Sequence, residues 1–296
     1  MREDARNAAG TVDEERLWRR HADMAQIGAI PGNGVNRAAL SSEDIAARKL
    51  LLSWAKARNY AIGIDGIGNI FIRRPGSDAN AEPVMTGSHM DSQPRGGRFD
   101  GMYGVLAGFE ALEAMDDAGV TTRRPVEVVA WTNEEGGRFA PCTMGSMIFT
   151  GARPLADVLD VTDNDGVKLK DALATTLAAT PEAKPRTFNS PAAAYIEAHI
   201  EQGPLLENAG KTIGVVTGIQ GLRWFNVEVT GKTDHAGTTP LALRKDAVRD
   251  SIAIINALTE LTHDPQDVTR FTVGRMLVTP NSPNSVASHV DRKSTV

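Results

Sequence analysis

Apolar residues along this chain recur first at helical spacing. Leu17, Met24 and Ile27 stand among charged neighbours in residues 13–27, which predicts an amphipathic helix. The segment PGNGVNR (31–37) is a loop. Ser41 and Asp44 form a capping pair for a helix reaching about residue 58. Over residues 60–73 the apolar positions are broken by glycines, the pattern of two short strands around a turn. PVMTGS (83–88) and PVEVVAWT (125–132) read as short buried strands. Between them, residues 101–118 set Val105, Leu106, Phe109, Leu112 and Met115 on one helical face. Residues 193–200 predict a third such strand, and a helix start follows at Pro204. Strands alternating with helices predict an α/β layer structure. Beyond about Gly210 the order changes to strands at 213–216 and 223–229, a long helix at 241–261 and a strand at 272–278. That order predicts a separate α+β domain, so the chain divides into domains 1–210 and 211–296, with no internal repeat.

Composition narrows the function classes. A length of 296 residues suits two domains of about 100–200 residues each. Lys and Arg total 32 against 37 Asp and Glu, a formal charge of −5. With a pI near 5.7, nothing calls for a nucleic-acid partner. No apolar run approaches the ~18 residues of a membrane helix. The N-terminus MREDARNAAG lacks the apolar stretch of a secretory signal. The single cysteine, Cys142, excludes an intrachain disulfide and reads as structural. These features predict a soluble cytoplasmic protein without nucleic-acid or membrane partners.

The chemistry-bearing residues gather at strand ends. His89 and Asp91 follow one apolar strand in GSHMDSQP, and Asp100 comes next in GGRFDG, ahead of a helix. Glu134 and Glu135 close the next strand in WTNEEGG, and His199 closes the third in IEAHIEQGP. Any one of these alone reads as a structural histidine or a solvated loop. Their conjunction is what points to chemistry, because ligands of open α/β sheets gather beyond the carboxyl ends of the strands. Histidine and carboxylate together suit divalent metals such as zinc, manganese or cobalt. A carboxylate left off the metal serves as a general base toward water. A carboxylate two residues past a histidine suits the role of orienting its ring. Met90, Met102 and Met144 read as packing residues, and His21, His263 and His289 as structural or surface.

GSHMDSQPRGGRFDGMYGVLAGFEAL resembles the metal-binding segment of the hydantoinase/carbamoylase family. RLWRRHADMAQIGAIPGNGVNR, WTNEEGGRFAPCTMGSMIFTG, AHIEQGPLLENAG and GKTDHAGTTPLALRKDA resemble further motifs of that family in the same order. The resemblance implies a metallopeptidase-like three-layer catalytic domain with an inserted α+β dimerisation (lid) domain. It implies two divalent metal ions, zinc or manganese first and cobalt or nickel next. His89 and His199 would hold one metal, Asp100 would bridge both, and Glu135 would hold the second. Glu134 would be the catalytic base, with Asp91 supporting His89. His235 would bind substrate from the small domain, and Gln93, Gln202 and Asn284 are further substrate-contact candidates. The implied reaction is hydrolysis of the carbamoyl C–N bond of N-carbamoyl-L-amino acids or related ureido acids. The implied assembly is a homodimer formed through the small domain.

One departure accompanies the resemblance. Family members continue past the position of Val296, return to the large domain and supply a last histidine there. A missing C-terminal return segment is therefore expected, and Arg292 stands next to the place of the family's substrate-carboxylate arginine without its motif. This leaves an inactive remnant, at most a metal-binding or dimerising module, as the alternative to an active amidohydrolase. Within the enzyme class the alternatives are an allantoate amidohydrolase and an aminoacylase or peptidase.

Overall fold

The computed structural model describes residues 2–295, and the chain divides into two compact units, Met1–Thr212 and Ile213–Val296. The first unit opens with α1 (Arg2–Gly10) and α2 (Glu14–Gln26), the latter capped where the Asp13 side chain accepts the Arg16 amide. A short hairpin, β1 (Ala29–Ile30) and β2 (Gly34–Val35), leads to α3 (Ser42–Ala57). The Ser41 hydroxyl caps α3 by accepting the Asp44 amide, as the sequence predicts. Then come β3 (Ala61–Ile64), β4 (Ile70–Arg74), β5 (Val84–His89), α4 (Met102–Asp117) and β6 (Val126–Trp131). The unit closes with α5 (Met144–Phe149), α6 (Leu169–Ala178), β7 (Lys184–Pro185), β8 (Ala194–Ile196) and α7 (Leu205–Asn208).

Six strands form one mixed sheet in the order β7-β3-β4-β6-β5-β8. Side chains alternate across it with a period of two. Ile70 and Ile72 of β4 and Val128 and Ala130 of β6 pack with Leu51 and Leu52 of α3 and Val105 and Phe109 of α4. Phe71, Met85 and Val129 point to the other face and pack with Phe149 of α5. This is the layered α/β arrangement predicted from the alternating elements. β5 runs parallel to both β6 and β8, so these three strands end on the same side. Gly87, at φ +137°, lets β5 approach β6 closely, since a Cβ there would lie 2.0 Å from the Val129 carbonyl oxygen.

An ion network ties the helices together beneath this sheet. Arg16 of α2 pairs with Glu110 and Asp117 of α4, Arg20 pairs with Glu113, and Arg58 at the end of α3 pairs with Glu113 and Asp117. The Arg20 guanidinium also lies 4.6 Å from the centroid of Phe109. His21, one residue on, is 5% exposed and packs on Phe99 and Tyr103, its ring nitrogens without hydrogen-bond partners. Burial, reinforced by nearby Arg98, pushes its pKa down to about 4. An unfolded chain takes up this proton near the ordinary histidine value. The stability that neutral His21 contributes is therefore complete above about pH 6.5 and drains away as the pH falls toward 4. Urea denaturation between pH 7 and 5 should show a shallower loss of stability in His21→Phe than in the parent. Parallel losses would mean that His21 is not the responsible group.

The second unit is a three-stranded antiparallel sheet in the order β10-β11-β9, made of β9 (Trp224–Thr230), β10 (Thr272–Thr279) and β11 (His289–Thr295). Its helix, α8 (Ala247–Leu261), packs through Ala247 on Ala287 and Val290. Three expectations are corrected here. The apolar stretch at 213–216 forms no strand; Ile213, Val215 and Val216 are about four-fifths exposed, and no ladder among the described residues takes up their backbone groups. The helix expected at 241–261 is interrupted: Leu241–Leu243 make a single 3-10 turn, and α8 begins only after Asp246, whose carboxylate caps the Val248 and Arg249 amides. The third strand of the first unit is shorter than predicted. β8 stops at Ile196, its pairing with β5 ending at Thr86, and the Glu197 side chain accepts hydrogen bonds from Ser88 and Tyr195. The tail that includes Arg292 becomes the central strand β11, and Arg292 is buried there beside buried Val290.

Candidate metal centre

The shared end of β5, β6 and β8 positions the polar cluster. His89 is the last residue of β5, Glu134 and Glu135 follow β6, and His199 follows β8. Asp100 arrives from the loop ahead of α4, where Gly101 (φ +62°) turns the chain into the helix. One donor atom from each of His89, Asp100 and His199 lies within 4.8 Å of the others. His199 Nε2 is 3.4 Å and His89 Nε2 3.9 Å from the same oxygen, Oδ1 of Asp100. Glu134 Oε2 stands 3.6 Å from His89 Nε2.

Both imidazoles are held in one tautomer. His89 Nδ1 lies 2.9 Å from the main-chain oxygen of Asp91, and His199 Nδ1 lies 2.8 Å from that of Ile200. A carbonyl oxygen only accepts, so each Nδ1 carries a hydrogen, and in the neutral ring each Nε2 presents its lone pair. Two lone pairs and a carboxylate oxygen converging on one point are the donor set of a divalent cation.

Asp91 acts differently from the sequence expectation. Its carboxylate stands 3.8 Å from His89 Nδ1, and its main-chain carbonyl makes the supporting hydrogen bond instead. β5 has already ended at His89, and Asp91 lies in the irregular segment that follows it. Oδ1 accepts the Glu134 amide and Oδ2 the Glu135 amide, both at 3.2 Å. Asp91 thereby fixes the backbone of both glutamates.

The electrostatics favour a cation. Asp91, Asp100, Glu134 and Glu135 surround His89, and among the described residues the ion pairs of the first three are with histidine alone. Burial pushes the Asp91 carboxyl up to about 6, and burial also raises Glu135. Burial opposes charge on His89, but Asp91, Glu134 and Glu135 outweigh it and hold that imidazole above the usual histidine range.

The remaining predicted residues fall into two groups. Gln93 donates to Glu135 Oε2 at 2.9 Å, and its own amide N–H reaches Glu135 Oε1 at 3.2 Å. Gln202 donates to Asp100 Oδ2. Both amides therefore grip carboxylates of the cluster, and Glu135 stays outside the three-residue convergence. His235 and Asn284 belong to the second unit, where the Ala236 amide donates to the Asn284 carbonyl. His235 Nδ1 accepts the amides of Gly237 and Thr238, which leaves Nε2 exposed as a donor when the ring is neutral.

A cavity of about 620 Å³ opens beside Glu134, lined by Met85, Trp131, Phe149, Tyr195 and Glu197. Sequence reasoning passed over the residues that brace the Glu134 loop. Asn69 accepts the Thr132 amide at 2.8 Å and donates to the Gly145 carbonyl. Arg48 donates to the Thr132 hydroxyl and to Asp44. Only their polar identity inside apolar stretches marks them in the sequence.

The profile of peptidase family M20/M25/M40 matches residues 85–286. The chain is 39% identical over 280 residues to the N-carbamoyl-L-amino-acid amidohydrolase of Rhizobium meliloti, covering 94% of this chain and 66% of that protein. It is 37% identical over 282 residues to the N-carbamoyl-L-amino acid amidohydrolase of Geobacillus stearothermophilus, covering 95% and 68%. It superposes with a TM-score of 0.90 and 44% identity on an amidase of the hydantoinase/carbamoylase family from Burkholderia vietnamiensis, over 96% of this chain and 68% of that one. The chain thus spans about two thirds of the length of the curated relatives it matches.

Proposed function

Since this chain belongs to peptidase family M20/M25/M40, we propose that it is a metal-dependent amidohydrolase that cleaves the carbamoyl C–N bond of N-carbamoyl-L-amino acids or related ureido acids. The convergence of His89, Asp100 and His199 beside a free glutamate carries this reading. The activities for which the relatives are named supply the substrate class. His89 and His199 would hold one divalent ion, Asp100 would bridge, and Glu135 would hold a second, zinc or manganese in each place. When bound, such ions polarise a carbonyl and bring the pKa of water toward neutrality. Glu134, one third exposed and beside the cavity, takes the proton of the attacking water and passes it to the leaving amine. Asp91 keeps Glu134 in place through its amide. The products are an amino acid, ammonia and carbon dioxide. His235 and Asn284 are the substrate-binding candidates of the second unit, and Gln93 and Gln202 those at the rim of the cluster.

The same reading takes the working form as a homodimer through the second unit, in the cytoplasm. Motif resemblance supports the first point and the single cysteine the second. Among the described residues no helix is long and apolar enough to cross a membrane. One observation favours a non-catalytic metal-binding module instead: Glu135 is held by Gln93 and is absent from the three-residue cluster. Metal analysis with a substrate panel separates the two readings. Near two ions per chain, with N-carbamoyl amino acids turned over faster than N-acetyl amino acids or allantoate, supports the amidohydrolase. One ion or none, without turnover, supports the module.

A further inference from the structure

We propose that Arg37 is the positioning residue of the metal centre, a clamp on both sides of Asp91 that fixes His89 and the glutamate pair together. This rests on the metal-centre reading above. Arg37 is 2% exposed and reaches the segment after β5 at two points. Its Nε donates to the Met90 carbonyl at 2.7 Å. Its main-chain amide donates to the Ser92 hydroxyl, and its carbonyl accepts the Ser92 amide, each at 2.9 Å. Met90 and Ser92 flank Asp91, so both neighbours of that residue are fastened to Arg37. The far side of the guanidinium is anchored as well: Nη1 donates to the Met24 and Ile27 carbonyls at the end of α2, at 2.9 and 3.0 Å.

What the clamp holds is the residue on which the centre turns. The Asp91 carbonyl sets the His89 tautomer, and the Asp91 carboxylate accepts the amides of Glu134 and Glu135. A rotation of the 90–92 segment would misplace a metal-binding imidazole and the proposed base at once. Arginine suits this post because its planar fork reaches several carbonyls in fixed directions. The carbonyls it serves lie on two separate segments, so the contact is a strut between α2 and the end of β5.

The test uses the full chain, cobalt(II) as the metal probe and ¹⁵N-labelled histidine in the metal-free protein, at a pH high enough to keep the His89 ring neutral. Arg37→Met should keep the parent's far-UV circular dichroism and bind cobalt about 10–100-fold more weakly, the range for lost support of metal ligands. Its His89 ring nitrogens should move from the single-tautomer pattern toward the averaged one. Arg37→Lys, which keeps a charged donor, should recover part of both. Parental cobalt affinity and an unchanged His89 pattern in Arg37→Met would overturn the proposal. If Arg37→Met does not fold, Ser92→Ala decides the question, because it removes only one fastening: weaker cobalt binding supports the clamp and parental binding overturns it. A parent that binds no cobalt, while Arg37→Met still disturbs the His89 tautomer, would sink the metal-centre reading and leave the clamp standing.

Discussion

Glu134→Gln should lose hydrolysis of N-carbamoyl amino acids by about 10²–10⁴-fold, the usual contribution of a general base, while binding metal as the parent does. The amide has nearly the shape of the carboxylate, so the loop keeps its form. The main-chain bonds that place residue 134, its amide to Asp91 and its carbonyl from Thr143, do not involve the side chain. The converging atoms of His89, Asp100 and His199 are also untouched. What disappears is the acceptor for a proton, 3.6 Å from the His89 nitrogen that faces the cluster. Turnover number and metal content should be measured on the same preparation. A variant that retains turnover within a few-fold of the parent would remove Glu134 from the mechanism. A variant that loses its metal would make it a ligand.

Gly101→Ala should abolish metal binding without replacing any ligand. Residue 101 sits at φ +62° and ψ −45°, close to the strained γ-turn conformation and outside the regions open to an L side chain. The larger effect is steric. A Cβ on residue 101 would lie 2.3 Å from His89 Nε2 and 2.4 Å from two further ring atoms. His89 is nearly fully buried, so the ring has no free volume into which to withdraw. Either the ring turns and breaks the Nδ1 bond to the Asp91 carbonyl, or the start of α4 shifts and carries Asp100 with it. Both routes scatter the donor set, and the expected loss is at least about 100-fold in affinity. Titration calorimetry with zinc, beside a thermal melt, reads both consequences. Gly97→Ala is the matched control, because nothing lies within 4 Å of a Cβ there. Parental affinity in Gly101→Ala would mean that metal does not bind where the two imidazoles face Asp100.

Most of the first unit was legible because its strands and helices carry clean periods. The Ser41 cap, the apolar face of α4 and the buried runs of β5 and β6 each state their structure locally. The site was legible for a related reason: a parallel sheet brings its strand ends together, so polar residues after successive apolar runs become neighbours. The losses were non-local. The stretch at 213–216 has the composition of a strand, and only the absence of a pairing ladder among the described residues makes it irregular. β11 carries no apolar run of its own, and it forms the central strand because β9 and β10 pair with it on either side. A carboxylate two residues past a histidine faces the same side only while the chain stays extended, and β5 ends at His89. Arg37 has no period to betray it, since a charged residue in a loop reads as solvent-facing until its carbonyl partners are known.

The acceptors chosen for the two imidazoles have a consequence for how the site assembles. A histidine oriented by a carboxylate depends on that acid staying ionised, and around His89 the acids are crowded enough for burial to push Asp91 up to about 6. Main-chain carbonyls do not titrate. Because His89 and His199 lean on the carbonyls of Asp91 and Ile200, their lone pairs keep their aim whatever the protonation of the acids around them. The ordering of both rings is settled when the chain folds, so an arriving ion meets ligands already pointed at it. Association then demands little rearrangement of the protein beyond release of the proton that the surrounding acids favour on His89.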